Sequence, residues 1–243
     1  MGRVITDICR EDAQIELVAG VDIFDGITND YPVFSNISVC DVKADVILDF
    51  SNAKAVDDLL VYSAEKRLPV VLCTTGLSEE QTKKVEEVAG QTAVLKSANM
   101  SLGINLLMEL LRQAAVILAP AGFDMEIVEK HHNQKLDAPS GTALALADAM
   151  NGVLGDAYSY QYDRTGRREK RDPKEIGISA VRGGNIVGQH EVIFAGLDEV
   201  VTLEHTAYSR SVFAKGAVEA AKFLVGKPAG LYNMQDVIKA TMK

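Results

Sequence analysis

Between Ile15 and Asn99, four short apolar runs are separated by longer stretches of helical periodicity. IELVAGVD (Ile15 to Asp22), VILDFS (Val46 to Ser51), VVLCTTG (Val70 to Gly76) and TAVLKSAN (Thr92 to Asn99) read as buried strands. Ala53 to Lys66 and Ser78 to Ala89 read as helices, the second opened by Ser78 and Gln81 as a capping box. Parallel neighbours need crossover connections, so strands alternating with helices of about a dozen residues predict a parallel sheet with helices on both faces. Ligands bind such sheets at the carboxyl ends of the strands. Asp22, Phe50, Thr74, Thr75 and Asn99 sit at those ends.

The second half has another texture. The longest apolar region, around Leu102 to Ala119, is interrupted by Glu109 and Arg112, which predicts a buried or amphipathic helix rather than a membrane span. That helix, roughly Ile104 to Leu118, is stopped by Pro120 and Gly122. DMEIVEKHH reads as a strand and Gly141 to Met150 as a short helix. Tyr158 to Glu175, with its run RTGRREKRDPKE, reads as a polar, solvated loop; Arg182 or Lys174 is the cation there that could face a substrate. Ile176 to Arg182, Gly188 to Ala195 and Glu199 to Tyr208 are β-type segments, and Val212 to Val225 is a last helix packing back on the first half. The reading is two domains, 1–102 with 212–243 and 103–211.

Net charge limits the partners. The 243 residues carry a formal charge of −9, whereas nucleic-acid binders owe their affinity to neutralising phosphate with positive charge. Nucleic acid is set aside. Cys9, Cys40 and Cys73 lack CxxC spacing, which fits reduced thiols. With no basic-then-apolar start and no apolar span, the chain reads as soluble and cytoplasmic, with no membrane partner.

The stretch EKHHNQKLDAPSGTA (Glu129 to Ala143) gathers unusual chemistry. A solvated turn is the plain reading. A metal site built from Glu129, His131, His132 and Asp137 is disfavoured, because His131 and His132 point to opposite faces of a strand, and no metal is expected. The third reading is an anion site joined to proton transfer. Ser140 is a natural N-cap, and the Gly141 and Thr142 N–H groups would lie at the positive end of a helix. Lys135 lies just upstream, across a turn. This set suits a small acid that gains or loses a proton.

EIVEKHHNQKLDAPSGTA closely resembles the E-x-x-E-x-HH-x-x-K-x-DAPSGTA motif of the 4-hydroxy-tetrahydrodipicolinate (dihydrodipicolinate) reductase family of the diaminopimelate route to lysine. VAGVD, DFS, TTGLS, SANMSLGIN, RGGNIVGQHEVIFAG, SRSVFAKGA and GLYNMQDV resemble further family segments, so the likeness runs end to end. It implies an α/β Rossmann-type nucleotide-binding domain plus a smaller α+β domain for substrate binding and tetramerisation. It also implies NADH or NADPH as cofactor and a small cyclic dicarboxylate as substrate. By motif, His131 and Lys135 are implied as proton donors, His132 as a substrate ligand, and Gly141 and Thr142 as the carboxylate cradle. Asp22 is implied to hold the cofactor ribose. Cys73, Thr74, Thr75, Ser97, Ala98, Asn99 and Met100 are implied to line the nicotinamide side. A homotetramer is the implied assembly. After Asp22 comes Ile23, where an arginine able to grip a 2′-phosphate often stands, so NADH is the predicted preference.

The family usually begins with a strand and a G-x-x-G-x-M-G-R turn, whereas this chain opens MGRVITDI, the tail of that turn and the helix after it. The glycines of that turn bring backbone to the pyrophosphate, so their loss is expected to lower cofactor affinity. The start could be internal to a longer chain, the fragment could be impaired, or another segment could replace the strand; the first is the reading adopted. The alternative function is a non-catalytic relative that binds the dicarboxylate without using cofactor. A dehydrogenase of the same architecture acting on another small amino or keto acid is a further alternative, disfavoured by the histidine-to-threonine block.

Overall fold

The computed structural model describes residues 1–24 and 28–241. The elements run α1 (Gly2–Glu11), β1 (Gly20–Val21), β2 (Val33–Phe34), β3 (Ile47–Asp49), α2 (Val56–Lys66), β4 (Val70–Leu72), α3 (Glu79–Ala89) and β5 (Ala93–Lys96). They continue α4 (Leu102–Leu118), β6 (Asp124–His131), α5 (Gly141–Val153), β7 (Ser159–Gln161) and β8 (Glu175–Arg182). The chain ends with β9 (Gly188–Ala195), β10 (Val200–Ala207), α6 (Ser211–Leu224), β11 (Gly230–Tyr232) and α7 (Met234–Thr241). Two compact units result, Met1–Ser101 with Ser211–Lys243, and Leu102–Arg210.

In the first unit four parallel strands pair in the order β11-β5-β4-β3. Ile47 packs with Val56, Leu60, Val85 and Val88 of α2 and α3. Its neighbour Leu48 packs with Ile5 and Cys9 of α1 and with Ala214 and Val218 of α6. Successive strand residues point to opposite faces, so helices cover both sides of this sheet. The Ser78–Gln81 capping box forms, and Gln81 Nε2 also donates to the Ala53 carbonyl at 2.6 Å and to Asp57 Oδ2 at 2.9 Å, tying α3 to the start of α2.

The buried strand expected over Ile15 to Asp22 is cut short. Ile15 to Asp22 does not form a full buried strand; only Gly20 and Val21 enter a ladder, parallel to Val33 and Phe34, in a separate two-stranded sheet. Ile15 and Leu17 are buried in part by side-chain packing on the cluster of α1, α6 and β3. An apolar run records burial, and burial here comes without ladder hydrogen bonds.

The second unit is a mixed five-stranded sheet, β10-β9-β6-β8-β7, in which β6 is parallel to β8 and antiparallel to β9. Helices α4 and α5 cover one face, burying Leu107, Leu111, Met125, Ile127, Leu146, Met150, Ile176 and Phe194. Each such side chain contributes about 1.5–3 kcal/mol of burial. Strand β6 alternates strictly, so Met125, Ile127, Glu129 and His131 share the covered face. Two apolar residues thus lead into an acid and an imidazole, both buried.

The segment from Tyr158 to Glu175 is not simply a solvated loop. Ser159–Gln161 adds an edge strand parallel to β8. Arg171 donates to Asp124 Oδ1 at 2.8 Å, Glu126 Oε1 at 3.0 Å and the carbonyls of Met125 at 3.0 Å and Glu175 at 2.6 Å. Arg164 bonds Glu126 at 2.8 Å and pairs with the buried Glu175. These arginines strap the segment to the sheet, and their acidic partners on β6 are remote in sequence, which is why the run reads as solvated. Among the described residues no helix is long and apolar enough to cross a membrane.

Candidate active site

Strand β6 ends at His131, and the chain turns there. Gly183 N donates to the His131 carbonyl at 2.9 Å, and Lys135 N to the His132 carbonyl at 3.2 Å. His131 therefore stays on the buried face, while His132 and Lys135 follow on a half-buried turn. Ser140 caps α5, its Oγ accepting from Ala143 N at 3.1 Å, so the first turn of the helix opens toward this bend. Lys135 Nζ lies 2.9 Å from Asp137 Oδ1. That lysine, with added help from the Gly141 N–H, holds the Asp137 carboxyl below the usual carboxylate range.

At the centre is Glu129, fully buried. Its Oε1 accepts from Ser140 N at 2.9 Å and Arg182 Nη2 at 2.7 Å; its Oε2 accepts from His131 Nδ1 at 2.6 Å and Arg182 Nη1 at 2.7 Å. Burial pushes this carboxyl up, but Arg182, His131 and Ser140 together outweigh it and hold it low, hence ionised. Arg182 also donates to the Asp137 carbonyl at 2.6 Å. Its charge is therefore committed to Glu129 and its orientation to this loop. Lys174 is exposed on the strapped segment.

His190 on β9 completes the cluster. It lies opposite Glu129 in the ladder, its Nε2 is 3.1 Å from Ser140 Oγ, and its ring meets His131 edge to face with centroids 5.1 Å apart. Burial, then the charge of His131, pushes its pKa down to about 4, with Lys135 acting in the same sense. A neutral imidazole thus sits beside His131. Gly188, also on β9, has no side chain where a Cβ would stand 3.1 Å from His131 Nε2.

The structure thus gathers His131, His132, Lys135, Gly141 and Thr142 at one end of the second unit. Glu129, His190 and Gly188 belong with them; from the sequence Glu129 enters only as a disfavoured metal-ligand type, and His190 and Gly188 have no expected role. The i, i+2 spacing of Glu129 and His131 on a strand was the available signal. Among the described residues no group of three or more His, Cys, Asp or Glu could hold a metal ion.

The residues expected to hold the cofactor lie in the first unit. Thr74 follows β4, is buried, and places its Oγ1 3.4 Å from Ser51 Oγ, past the end of β3. Thr75 and Ala98 are exposed, Ser97 is half-buried and Met100 is buried. Asn99 Oδ1 accepts from Ser101 N at 2.8 Å. Burial, with Asp49 adding, pushes the Cys73 thiol well up, so it stays protonated and packs. Asp22 is exposed just after β1 of the two-stranded sheet. A pyridine nucleotide fits this set: hydroxyls and an amide follow parallel strands, and Gly76 turns the β4 loop with φ +73° into open space. The buried Asp49 Oδ2, at the end of β3, also lacks a partner.

Comparison with known proteins gives the chain's relatives. The family models "Dihydrodipicolinate reductase, N-terminus" and "Dihydrodipicolinate reductase, C-terminus" match residues 1–100 and 103–238. The 4-hydroxy-tetrahydrodipicolinate reductase of Caldanaerobacter subterraneus subsp. tengcongensis is 52% identical over 239 residues, covering 98% of this chain and 94% of the relative. That of Clostridium novyi is 50% identical over 240 residues, covering 99% and 94%. Among solved structures, the dipicolinate-bound dihydrodipicolinate reductase from Paenisporosarcina sp. TG-14 superposes with a TM-score of 0.80 at 25% identity, covering 97% of this chain and 94% of that one. The chain belongs to the dihydrodipicolinate reductase family of oxidoreductases.

Proposed function

We propose that this chain reduces 4-hydroxy-tetrahydrodipicolinate, a small cyclic dicarboxylate, to tetrahydrodipicolinate with NADH or NADPH. The observation that carries the reading is the meeting of a carboxylate-bound imidazole, a lysine and a helix N-terminus at one bend, within 129–143. The relative with dipicolinate bound supports a dicarboxylate ligand.

When bound, a reduced nicotinamide would supply hydride to a ring carbon. The substrate's hydroxyl leaves as water, so one proton must accompany the hydride. His131 delivers it, with Lys135 as the second donor. The N–H groups of Gly141 and Thr142 receive a substrate carboxylate at the positive end of α5, and His132 binds the same ring. In the first unit, Gly2 and Arg3 at the start of α1 would hold the pyrophosphate, and Asp22 the ribose hydroxyls. Thr74, Thr75, Asn99 and their neighbours would line the nicotinamide side. Asp22 followed by Ile23 favours NADH. The uncovered face of the five-stranded sheet, which presents exposed Val181 and Val200, serves self-association into a tetramer. Unpaired thiols at Cys9, Cys40 and Cys73 fit a reducing cytoplasm.

The test is consumption of NADH near-ultraviolet absorbance in the presence of 4-hydroxy-tetrahydrodipicolinate. Turnover that falls at least a hundredfold in His131→Gln supports the assignment. Dipicolinate binding without any loss of absorbance would make the chain a non-catalytic binder.

A further inference from the structure

Glu129 has more partners than a structural clamp needs. A bidentate arginine alone would tie β6 to β8, and Arg182 does so. Yet each oxygen of Glu129 accepts a second donor, Oε1 from Ser140 N and Oε2 from His131 Nδ1. An ionised carboxylate can only accept hydrogen bonds, so Nδ1 of His131 must carry a proton in both charge states of the ring. The proton that comes and goes then belongs to Nε2. That nitrogen is flanked by Gly188, where a Cβ would stand 3.1 Å away, so the backbone leaves it room. The same carboxylate reaches Ser140, the cap of α5, and through Arg182 the Asp137 carbonyl. Imidazole, helix end and intervening loop therefore share one anchor.

We propose that Glu129 is a positioning residue for the reduction: it fixes His131 as the Nδ1–H tautomer, making Nε2 the atom that transfers the proton, and locks that ring in register with the N-terminus of α5. This rests on the assignment of proton transfer to His131. Glu129 itself touches no substrate; it acts through the ring and through the cap.

Two measurements test it. In ¹⁵N-histidine-labelled protein at a pH where His131 is neutral, Nδ1 should resonate as a protonated, pyrrole-type nitrogen and Nε2 as a pyridine-type one. The opposite pattern overturns the proposal, and no variant is needed to see it. The second measurement is a double-mutant cycle on turnover. Glu129→Gln should lower kcat at least tenfold in the otherwise native enzyme and less than threefold in a His131→Gln background. Equal losses in both backgrounds would make Glu129 a structural clamp only. If His131→Gln alone keeps full turnover, the proton-transfer assignment fails and this proposal with it. If that variant is impaired but the tautomer is reversed, the role of Glu129 fails alone.

Discussion

Lys135 Nζ lies 2.9 Å from Asp137 Oδ1, and the Asp137 carboxyl is also stabilised by the Gly141 N–H. A resident carboxylate thus sits on the lysine that we assign as second proton donor and at the helix end that we assign to the substrate's carboxylate. Binding must exchange one anion for the other. Asp137→Asn removes the competitor's charge while keeping its shape, so the affinity for dipicolinate should rise. Asp137 is exposed, and exposed ion pairs are weak, so the expected gain is about twofold to fivefold in Kd by titration calorimetry. Unchanged or weaker binding would show that Asp137 serves to orient Lys135 rather than to compete.

Gly188 stands beside His131 Nε2, and a Cβ there would be 3.1 Å from that nitrogen. The ring cannot move away freely, because Glu129 holds its other nitrogen at 2.6 Å. Gly188→Ala should therefore displace the ring by a few tenths of an ångström and lower kcat by about tenfold, since misplacement by 1 Å costs roughly a hundredfold. Thermal midpoints should change little. A variant with native kcat would show that the ring has slack.

Asp22 follows β1 as an exposed carboxylate, with no arginine or lysine at the next position. A 2′-phosphate brought there would meet like charge without a cation at the adjacent position to offset it. NADH should show the higher kcat/KM, and Asp22→Asn should narrow the ratio by raising the KM for NADH. Equal efficiency with both cofactors would remove Asp22 as the discriminating group.

What could be read beforehand was mostly local. The Ser78–Gln81 box, the Ser140 cap and the alternation along β6 are short-range patterns, and each appears in the structure. The anchor of the site was not legible, because Arg182 lies 53 residues from Glu129, and His190 meets it only through the register of β6 on β9. A sequence supplies residue types, whereas pairing across a sheet depends on register. The same limit explains why the tie of Arg182 to Glu129 was hidden and the arginine run read as solvated. Their acidic partners come from other strands. The run from Ile15 failed differently: hydrophobicity marks what is buried, and Ile15 and Leu17 are partly buried without joining a ladder.

His190 should shape the acid stability of the fold. Burial, and after it the charge of His131, depresses its pKa from 6.5 to about 4. The unfolded chain then binds a proton at this residue before the folded one does. Stability attributable to it is therefore intact above pH 6.5 and declines as pH falls toward 4, by about 3 kcal/mol in full. Glu129 acts in a lower window, since its carboxyl is held below the usual 4.5 and its contribution is lost only as pH falls through that lowered value. His205, opposite His190 on β10, is also pushed down by burial but is present in both proteins and cancels. His190→Gln can keep a hydrogen bond to Ser140 Oγ without a titrating group. Urea midpoints at pH 7.0, 5.5 and 4.5 should fall less steeply in this variant than in the native chain, even if its stability at pH 7.0 is lower. Parallel declines in the two proteins would mean that His190 is protonated without cost, and that the neutral imidazole beside His131 is not part of the resting site.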